Sequence, residues 1–450
     1  MYEQIYDYIK KEIRDGKLLC GERLPSTRLL ASNLQLSRST VDLAYDQLVS
    51  EGYIEAVPYK GYFVSKVEEL YHIQKEEKSE LPEEQTKEQF LYDFSPNKIE
   101  IKEFPLSTWK KISKNVLVDH AEEIFEMGSP KGDFTLRKTI CRYLHNSRGV
   151  LCEPEQLIIG AGNDYLLMLL QKILGNQLTM AVENPTYKRA YQIFSTAGYQ
   201  MRQMPVDDSG LQVDALKKSD ANIAYVMPTH QFPTGVVMPI GRRLELLNWA
   251  ATKDENYIIE DDYDSEFRYK GKPIPSLQAS DTKEKVIYMG TFSKSIAPAI
   301  RISFMVLPKK LLRQYDEKCS FISSTVSRID QAILNEFIAG GHYERYLNKM
   351  RKIYRSKHDF LLEELKPFRK KFVIKGENAG LHLLLESKDA KVQEQDLLTC
   401  LSEHKVKVYG MSDYYVDDKR PTHATVIIGY ANLSKEQIKQ GVALLKKYWL

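Results

Sequence analysis

The fold is decided by the stretch Val286-Ile-Tyr-Met-Gly-Thr-Phe-Ser-Lys-Ser-Ile-Ala-Pro-Ala-Ile-Arg-Ile-Ser303. Its first four residues are apolar and predict a buried strand. The strand breaks at Gly290, where the sequence turns to small hydroxylated residues. A lysine, Lys294, lies in this break, and Arg301 follows it seven residues later. In α/β proteins ligands bind at the carboxyl ends of strands, so the break is a candidate ligand site.

The side chains at this break suit a ligand that carries both a phosphate and an aldehyde. Thr291, Ser293 and Arg301 supply the hydroxyl and guanidinium donors that bind phosphate. A lysine beside apolar surface can lose its proton, and the neutral amine then attacks an aldehyde. Pyridoxal 5′-phosphate (PLP) has both groups, and its resting form in proteins is a Schiff base to lysine. The alternative is a surface loop with a solvated lysine, because Thr-x-Ser-Lys alone is a weak motif.

Length and composition predict a multi-domain globular protein. The chain has 450 residues, of which 43% are apolar and 28% charged, so two or three domains are expected. No apolar run is long enough to span a membrane, and the N-terminus has no signal-peptide pattern. The cysteines are scattered without a Cys-x-x-Cys pair, which predicts free thiols in a reducing cytoplasm and no metal site. The net charge of +3 identifies no partner.

Residues 1–66 are predicted to form a winged helix-turn-helix. Apolar residues at helical spacing predict a first helix over 3–14, which Gly16 ends. Ser26 and Ser37 are predicted N-caps of two short helices on either side of a tight turn at 34–36. The stretch 52–65 then predicts a β-hairpin, the wing.

This segment is predicted to bind double-stranded DNA, with the N-terminus of the second short helix in the major groove. The alternative is a small helical interaction domain. Charge does not decide between them, because residues 1–66 hold nine Lys or Arg and nine Asp or Glu. The distribution favours DNA: three basic residues lie at the proposed reading edge, and Asp42, Asp46 and Glu51 are expected to lie away from it.

Residues 1–66 resemble the winged helix of the GntR family. The resemblance rests on Leu24-Pro-Ser-x-Arg28-x-Leu30-Ala31, on Ser37-Arg-x-Thr40-Val41 and on Glu51-Gly-Tyr53. Together with the helix positions it implies DNA contacts by Arg28, Ser37, Arg38, Ser39, Thr40, Lys60 and the wing-tip Gly61. Residues 67–90 are dense in Glu, Lys and Gln and predict a solvated linker, with a surface helix as the alternative.

Residues 91–450 alternate strand-like apolar runs with helical patterns. The runs at 157–160, 179–182, 223–227, 257–260, 286–289 and 303–307 predict an α/β domain with a largely parallel sheet. The turn after 157–160 is expected to bind phosphate through the amides of Ala161, Gly162 and Asn163 at a helix start. After 179–182, Tyr187 is a candidate to stack on a pyridine ring, and Arg189 to bind a ligand carboxylate. Ordinary packing and a surface salt bridge are the alternatives for these two side chains.

The run 257–260 continues into Asp261, Asp262, Tyr263 and Asp264. A carboxylate beside the pyridine nitrogen keeps that nitrogen protonated, and a nearby tyrosine could bond the ring oxygen. The competing interpretation is a divalent-metal site made of clustered acids. The lysine-bearing stretch that follows about thirty residues later favours the pyridine.

Residues 91–450 resemble fold-type I aminotransferases, with a small C-terminal subdomain implied. The order of motifs is reproduced: the Gly128-to-Gly132 turn, the phosphate turn, Tyr187, Pro233-Thr-Gly235, the Asp-x-Tyr and the lysine. The resemblance implies Lys294 as the Schiff-base residue, Asp261 for the pyridine nitrogen, with Asp262 in reserve, and Tyr263 for the ring oxygen. Tyr187 would stack on the ring. Gly162, Asn163, Thr291 and Arg301 would hold the phosphate.

A GntR-like winged helix joined to such a domain resembles the MocR/GabR-type transcription regulators. The resemblance implies a cytoplasmic homodimer on DNA that senses a small amine, an amino acid or PLP itself, and Arg189 matches a residue that contacts effector carboxylate. The alternative is a working aminotransferase with an accessory DNA-binding domain. Three departures favour sensing: Phe232 replaces an asparagine, Met127 replaces a tyrosine, and 425–430 lack a carboxylate-binding arginine.

Overall fold

The structure is a computed structural model that describes residues 1–66, 89–119, 122–269, 271, 273–417 and 421–450. The chain divides into two units, Met1–Glu88 and Gln89–Leu450. The predicted linker at 67–90 falls almost wholly on 67–88, outside the described residues.

The first unit is the predicted winged helix-turn-helix. Its elements are α1 (Tyr2–Arg14), α2 (Thr27–Asn33), α3 (Arg38–Ser50), β1 (Ile54–Val57) and β2 (Gly61–Val64). Ser26 and Ser37 cap α2 and α3 as predicted, because their hydroxyls accept from the Leu29 and Thr40 amides. The two strands pair antiparallel as the wing. The unit has its own core, in which Val41, Tyr45 and Leu48 of α3 are fully buried.

The second unit has the predicted aminotransferase-like α/β fold. Its helices are α4 (Leu106–Asp119), α5 (Phe134–Arg148), α6 (Asn163–Leu174), α7 (Lys188–Thr196), α8 (Val213–Lys218), α9 (Ile240–Ala250), α10 (Lys309–Lys318), α11 (Arg328–Ala339), α12 (His342–Glu364), α13 (Glu394–Ser402) and α14 (Lys435–Trp449). Its strands are β3 (Tyr92–Asp93), β4 (Leu157–Gly160), β5 (Thr179–Asn184), β6 (Gln200–Asp207), β7 (Gly210–Leu211), β8 (Ile223–Val226), β9 (Tyr257–Asp262), β10 (Val286–Thr291), β11 (Ser303–Val306), β12 (Phe372–Lys375), β13 (His382–Ser387), β14 (Val406–Lys407), β15 (Tyr409–Gly410) and β16 (Thr425–Gly429).

All six predicted strands lie in one eight-stranded sheet of order β4-β11-β10-β9-β8-β5-β6-β7. Strands β10, β9, β8, β5 and β6 are parallel, whereas β11 is antiparallel to both β10 and β4. Strand β4 therefore runs in the same direction as β10. The carboxyl ends of β4, β5, β8, β9 and β10 meet at one edge of the sheet, where the candidate site residues follow each strand.

A smaller antiparallel sheet of order β12-β13-β16-β15 forms the expected C-terminal subdomain. A short parallel pair joins β3, near the start of this unit, to β14. The C-terminal part of this unit therefore pairs with the start of the same unit. The residues that follow β3, Pro96 and Asn97, lie at the edge of the main sheet.

Candidate functional site

A cleft of about 640 Å³, measured to its open mouth, lies at the carboxyl edge of the main sheet. Eight of the ten residues predicted to hold the cofactor line it, and Ala161 and Gly162 are not among them. The lining residues are Asn97, Asn163, Asp164, Tyr187, Met227, Phe232, Asp261, Tyr263, Thr291, Ser293, Lys294 and Arg301.

Lys294 follows β10 and reaches the cleft as a partly buried amine. Its Nζ donates to the carbonyl oxygen of Pro96 at 2.9 Å. Burial lowers the pKa of Lys294 to about 8, and the negative charge of Asp264 opposes this shift only in part. A substantial fraction of this lysine is therefore a neutral nucleophile near pH 8.

Asp261 and Asp262 are neighbours on β9 and point to opposite faces of the sheet. Asp261 faces the cleft, where it accepts from Asn163 Nδ2 at 3.2 Å and from the Tyr225 hydroxyl. Asp262 accepts from Arg148 Nε at 2.8 Å and from the Tyr288 hydroxyl at 2.6 Å, away from the cleft. Of the two candidates for the pyridine nitrogen, Asp261 therefore lines the cleft and Asp262 does not.

The electrostatics of Asp261 depend on its burial. Burial raises its pKa to about 6, and the hydrogen bond from Tyr225 works in the opposite direction. A cationic partner in the cleft would stabilise the carboxylate. Because Asp261 and Asp262 diverge, they do not form the clustered acids of a metal site. In the described part of the chain, no group of three or more metal-ligating side chains is arranged to hold an ion.

The cleft lining also contains hydrogen-bond donors. Arg301, in a left-handed backbone conformation with φ of 52°, directs Nη2 to the Ala161 carbonyl at 3.3 Å and to Asp164 Oδ2 at 3.5 Å. A Cβ atom at Gly162 would lie 2.4 Å from that same Nη2, so glycine is required for the arginine to approach. The Thr291 hydroxyl accepts from Ser303 Oγ at 2.8 Å, which leaves its own proton to donate elsewhere.

The unpaired amides of the predicted phosphate turn begin at Asn163, two residues after Ala161, where the prediction placed the first of them. Ala161 donates its N–H to Thr325 Oγ1 at 3.0 Å, and Gly162 donates to the Gly160 carbonyl at 2.8 Å. Helix α6 begins at Asn163, so the unpaired amides of its first turn begin there. Asn163 and Asp164 line the cleft, whereas Ala161 and Gly162 shape it through Arg301.

An aromatic wall closes the other side of the cleft. Phe232 packs edge-on against Tyr187, Tyr263 and Tyr414, with ring centroids 6.5, 5.7 and 5.1 Å apart. Residues 184–185 and 232–233 are joined by cis peptide bonds, each before a proline.

Several residues at the site were not predicted. His230 Nδ1 lies 2.9 Å from Asp264 Oδ2 and 3.0 Å from the Tyr263 hydroxyl. His230, held by Asp264, therefore orients the side chain of Tyr263. The motif around 260–264 already contained Asp264, but its partner could not be assigned without the fold. Asn97 lines the cleft and Tyr414 packs against the lining residue Phe232; both come from distant parts of the chain, and no sequence signal marks them.

Arg189 does not line the cleft. Its guanidinium is 60% exposed and lies 3.2 Å from Asp164 Oδ2, the carboxylate that Arg301 also approaches. The structure thus puts Arg189 beside a lining residue, with its charge already paired to an acid.

The predicted DNA-contact residues cluster at the start of α3 and at the wing. The Ser37 hydroxyl lies 3.0 Å from Ser39 Oγ and 2.7 Å from Thr40 Oγ1, and Arg38 is exposed. Arg28 is exposed on α2, and Lys60 precedes the wing-tip Gly61, which adopts φ of 110°. The expectation for Asp42 was wrong: one helical turn after Arg38, its carboxylate lies 3.4 Å from the Arg38 guanidinium.

Comparisons with known proteins match both units. A family described as bacterial regulatory proteins, gntR family, matches residues 1–64, and aminotransferase class I and II matches residues 96–445. YdeL of Bacillus subtilis (strain 168), an uncharacterised HTH-type transcriptional regulator, is 40% identical over 100% of this chain and 96% of its own length. MocR of Rhizobium meliloti, a probable rhizopine catabolism regulatory protein, is 30% identical over 100% of this chain and 94% of its own. The chain belongs to the MocR/GabR-type transcription regulators.

The second unit of this MocR/GabR-type regulator also matches solved enzyme structures. Kynurenine aminotransferase of Pyrococcus horikoshii superposes with a TM-score of 0.71 and 25% identity, over 80% of this chain and 92% of the enzyme. The regulator therefore combines a DNA-binding domain with a domain of a PLP-dependent family. No helix among its described residues is long and apolar enough to cross a membrane.

The residues present fit PLP. The lining includes hydroxyl and guanidinium donors that suit a phosphate, the buried Asp261 carboxylate and the Lys294 amine. Asn163 lines the cleft, and its Oδ1 is buried and has no hydrogen-bond partner among the described residues. Unpaired buried polar atoms at a cleft are expected where a ligand completes their hydrogen bonds.

Proposed function

We propose that this protein is a PLP-dependent transcription regulator that senses a small amine, an amino acid or PLP itself at Lys294. The observation that carries the proposal is the partly buried Lys294 amine in one cleft with the Asp261 carboxylate. When bound, PLP supplies an aldehyde that forms a Schiff base with a primary amine. An effector amine can compete with Lys294 for that aldehyde.

The residues of the cleft have separate roles in this proposal. Arg301, Thr291 and Ser293 would bind the phosphate, together with the first amides of α6. Asp261 would hold a proton on the pyridine nitrogen, and Asn163 keeps the Asp261 carboxylate turned toward the cleft. Tyr263, oriented by His230, would donate to the ring oxygen, and Tyr187 would stack against the ring.

Departures from the enzyme pattern favour sensing over turnover. Phe232 puts an apolar ring where aminotransferases hold an asparagine, and it packs against Tyr414 rather than offering a hydrogen bond. The second candidate, a working aminotransferase with an accessory DNA-binding domain, is favoured by the nearly complete cofactor lining. Multiple turnovers with an amino donor and a keto-acid acceptor would support the enzyme, whereas a reaction that stops after one equivalent would support the sensor.

The regulator is proposed to act as a cytoplasmic homodimer on two DNA half-sites. Arg28, Arg38 and Lys60 provide positive charge at the proposed DNA surface, with Ser37, Ser39 and Thr40 at the N-terminus of α3 and Gly61 at the wing tip. In the second unit Val118, Phe125 and Met127 expose apolar side chains, a feature of protein–protein interfaces. Arg189 is the proposed contact for an effector carboxylate, which would have to displace Asp164.

The proposal is tested by visible absorption of the purified protein, stripped of cofactor and titrated with PLP. Wild type is compared with Lys294→Ala and with a control, Lys98→Ala, whose lysine pairs with Asp93 on the surface. We expect a visible band in wild type and in the control that Lys294→Ala lacks. One amine from a panel should shift the band and change the affinity for DNA.

The pH dependence of the same titration adds a second test. Because the pKa of Lys294 is about 8, the rate of PLP capture should rise with pH through that value and then level off. A colourless wild type that ignores PLP would overturn the sensor and leave a DNA-binding scaffold.

A further inference from the structure

Two of the five cysteines lie against each other beside α5. Cys141 is in the middle of this helix, and Cys152 is in the segment that leads to β4. The two Sγ atoms are 3.4 Å apart. A disulfide has an S–S distance of about 2.05 Å, so the two sulfur atoms need to approach by only about 1.4 Å.

The local fold explains why these residues meet. Helix α5 ends at Gly149, which adopts the left-handed conformation with φ of 69°. The chain then reverses, Val150 is buried in the core, and Cys152 comes to lie beside Cys141, about two turns before the end of the helix. The 3₁₀ turn at Pro154–Gln156, closed by a capping box between Glu153 and Gln156, fixes the segment after Cys152.

The pair is accessible to small molecules. Both cysteines line a surface cleft, separate from the cofactor cleft, that also includes His145, Leu151 and Gln278. Cys141 is buried within this wall and Cys152 is half-buried. The Cys152 thiol donates to Cys141, which lowers the pKa of Cys141, and the charge of Arg137 acts in the same direction.

The other cysteines differ in ways that provide controls. Cys20 is exposed on the first unit, and Cys319 is fully buried inside the second unit. Cys400 donates to the Leu397 carbonyl at 3.4 Å. Within the described residues, no hydrogen bond joins any of these three to another cysteine.

We propose that Cys141 and Cys152 are a modification site, at which a hydroperoxide forms a reversible intramolecular disulfide. One thiolate attacks the peroxide, an S–O bond forms, the O–O bond breaks, and the leaving oxygen departs as water or an alcohol after taking a proton. The second thiol then attacks the oxidised sulfur, the S–S bond forms, and the S–O bond breaks with loss of water. Two thiols lose two electrons in total, which the peroxide accepts, and an external thiol reverses the change.

The disulfide would tie the middle of α5 to the segment that enters β4. Helix α5 carries Arg148, which holds Asp262, and β4 ends at the turn before α6. Cross-linking removes conformational freedom mainly from the unfolded chain, so the oxidised protein should have a higher Tm than the reduced protein. This inference does not depend on PLP binding.

The test is peptide mapping of the full-length protein after mild treatment with hydrogen peroxide. Free thiols are blocked, and the protein is digested with trypsin without reductant. Trypsin cleaves after Arg142 and Arg148, between the two cysteines, so a disulfide joins two separate peptides. We expect the Cys141–Cys152 peptide pair in most chains, its loss on reduction with dithiothreitol, and a rise in Tm that Cys152→Ser abolishes. Cys319→Ser is the matched control and should retain the pair.

Oxidation of Cys20 in the same sample reports that the peroxide has acted. The proposal is overturned if Cys20 is oxidised while Cys141 and Cys152 stay unlinked. It is equally overturned if Cys152 ends as a sulfinic or sulfonic acid, or bonds to a second chain. Cys152→Ser removes only a half-buried thiol, and its Tm compared with reduced wild type reports whether the variant folds.

Discussion

Adjacent carboxylates have opposite assignments in this protein because a strand alternates its side chains. Asp261 faces the cleft, and Asp262 is in a buried ion pair with Arg148. We expect Asp261→Asn to weaken PLP binding by about 10–100-fold, since it removes a charged hydrogen-bond partner, with little change in Tm. Asp262→Asn should instead lower the stability by about 3–5 kcal/mol, because it leaves the Arg148 charge buried without its partner.

PLP titration and thermal unfolding of the two variants separate these effects. If Asp262→Asn loses PLP affinity at a temperature where it is folded while Asp261→Asn binds normally, the assignments of the two carboxylates are reversed.

A buried acid beside the site predicts a pH dependence of stability. Burial raises the pKa of Glu183 from 4.5 to about 8 in the folded protein, so folding favours its protonated form. Its stabilising contribution is therefore complete below pH 4.5 and is lost as pH rises toward 8. In the wild type the free energy of unfolding should fall by a few kcal/mol between these pH values because of Glu183. In Glu183→Gln this part of the fall, and the accompanying fall in Tm, should be absent. Thermal unfolding of both proteins across this pH range measures the difference, and parallel curves would contradict the prediction.

The recognition helix α3 reads DNA in this family of domains through its N-terminal turn. Arg38 projects from that turn, and Asp42, one turn later, holds its guanidinium. We expect Arg38→Ala to weaken binding to the operator by about 1–3 kcal/mol. Lys17→Ala is the control, since Lys17 follows α1 and pairs with Glu12. Titration of both variants with one labelled duplex measures the effect, and equal losses would indicate non-specific charge rather than a contact by α3.

Most elements were predictable because their patterns are local. The strand periodicity of 286–289 and the caps at Ser26 and Ser37 depend on neighbouring residues, and both were confirmed. The site was predictable where it follows a strand end, as at Asp261 and Lys294. It was not predictable where the fold brings in residues that are distant in sequence. The Pro96 carbonyl accepts from Lys294, 198 positions away, and Thr325 Oγ1 accepts a hydrogen bond from the Ala161 amide. The Asp42 error has a different origin, because the i,i+4 spacing from Arg38 is a local feature that the sequence itself contains.

Each chain carries one winged helix with a core of its own, so we expect the affinity for DNA to depend on how many chains associate. One winged helix contacts one half-site, so tight binding to a paired operator requires two linked units. The exposed Phe125 and Met127, 72% and 86% accessible, are the proposed dimer contact. We expect the double variant Phe125→Ser and Met127→Ser to sediment as one chain where wild type sediments as two. It should bind a paired operator no more tightly than a single half-site.

Leu244→Ser is the control for that experiment, because it removes an exposed leucine of α9 far along the chain from this stretch. A single chain that still discriminates paired from single half-sites would mean that the DNA itself brings the chains together. A double variant that sediments as two chains would assign the dimer contact to another surface, and the exposed side chains at 125 and 127 would then lack a function in assembly. Sedimentation and DNA titration on the same preparations distinguish these outcomes, since one reports association without DNA and the other reports its effect on binding.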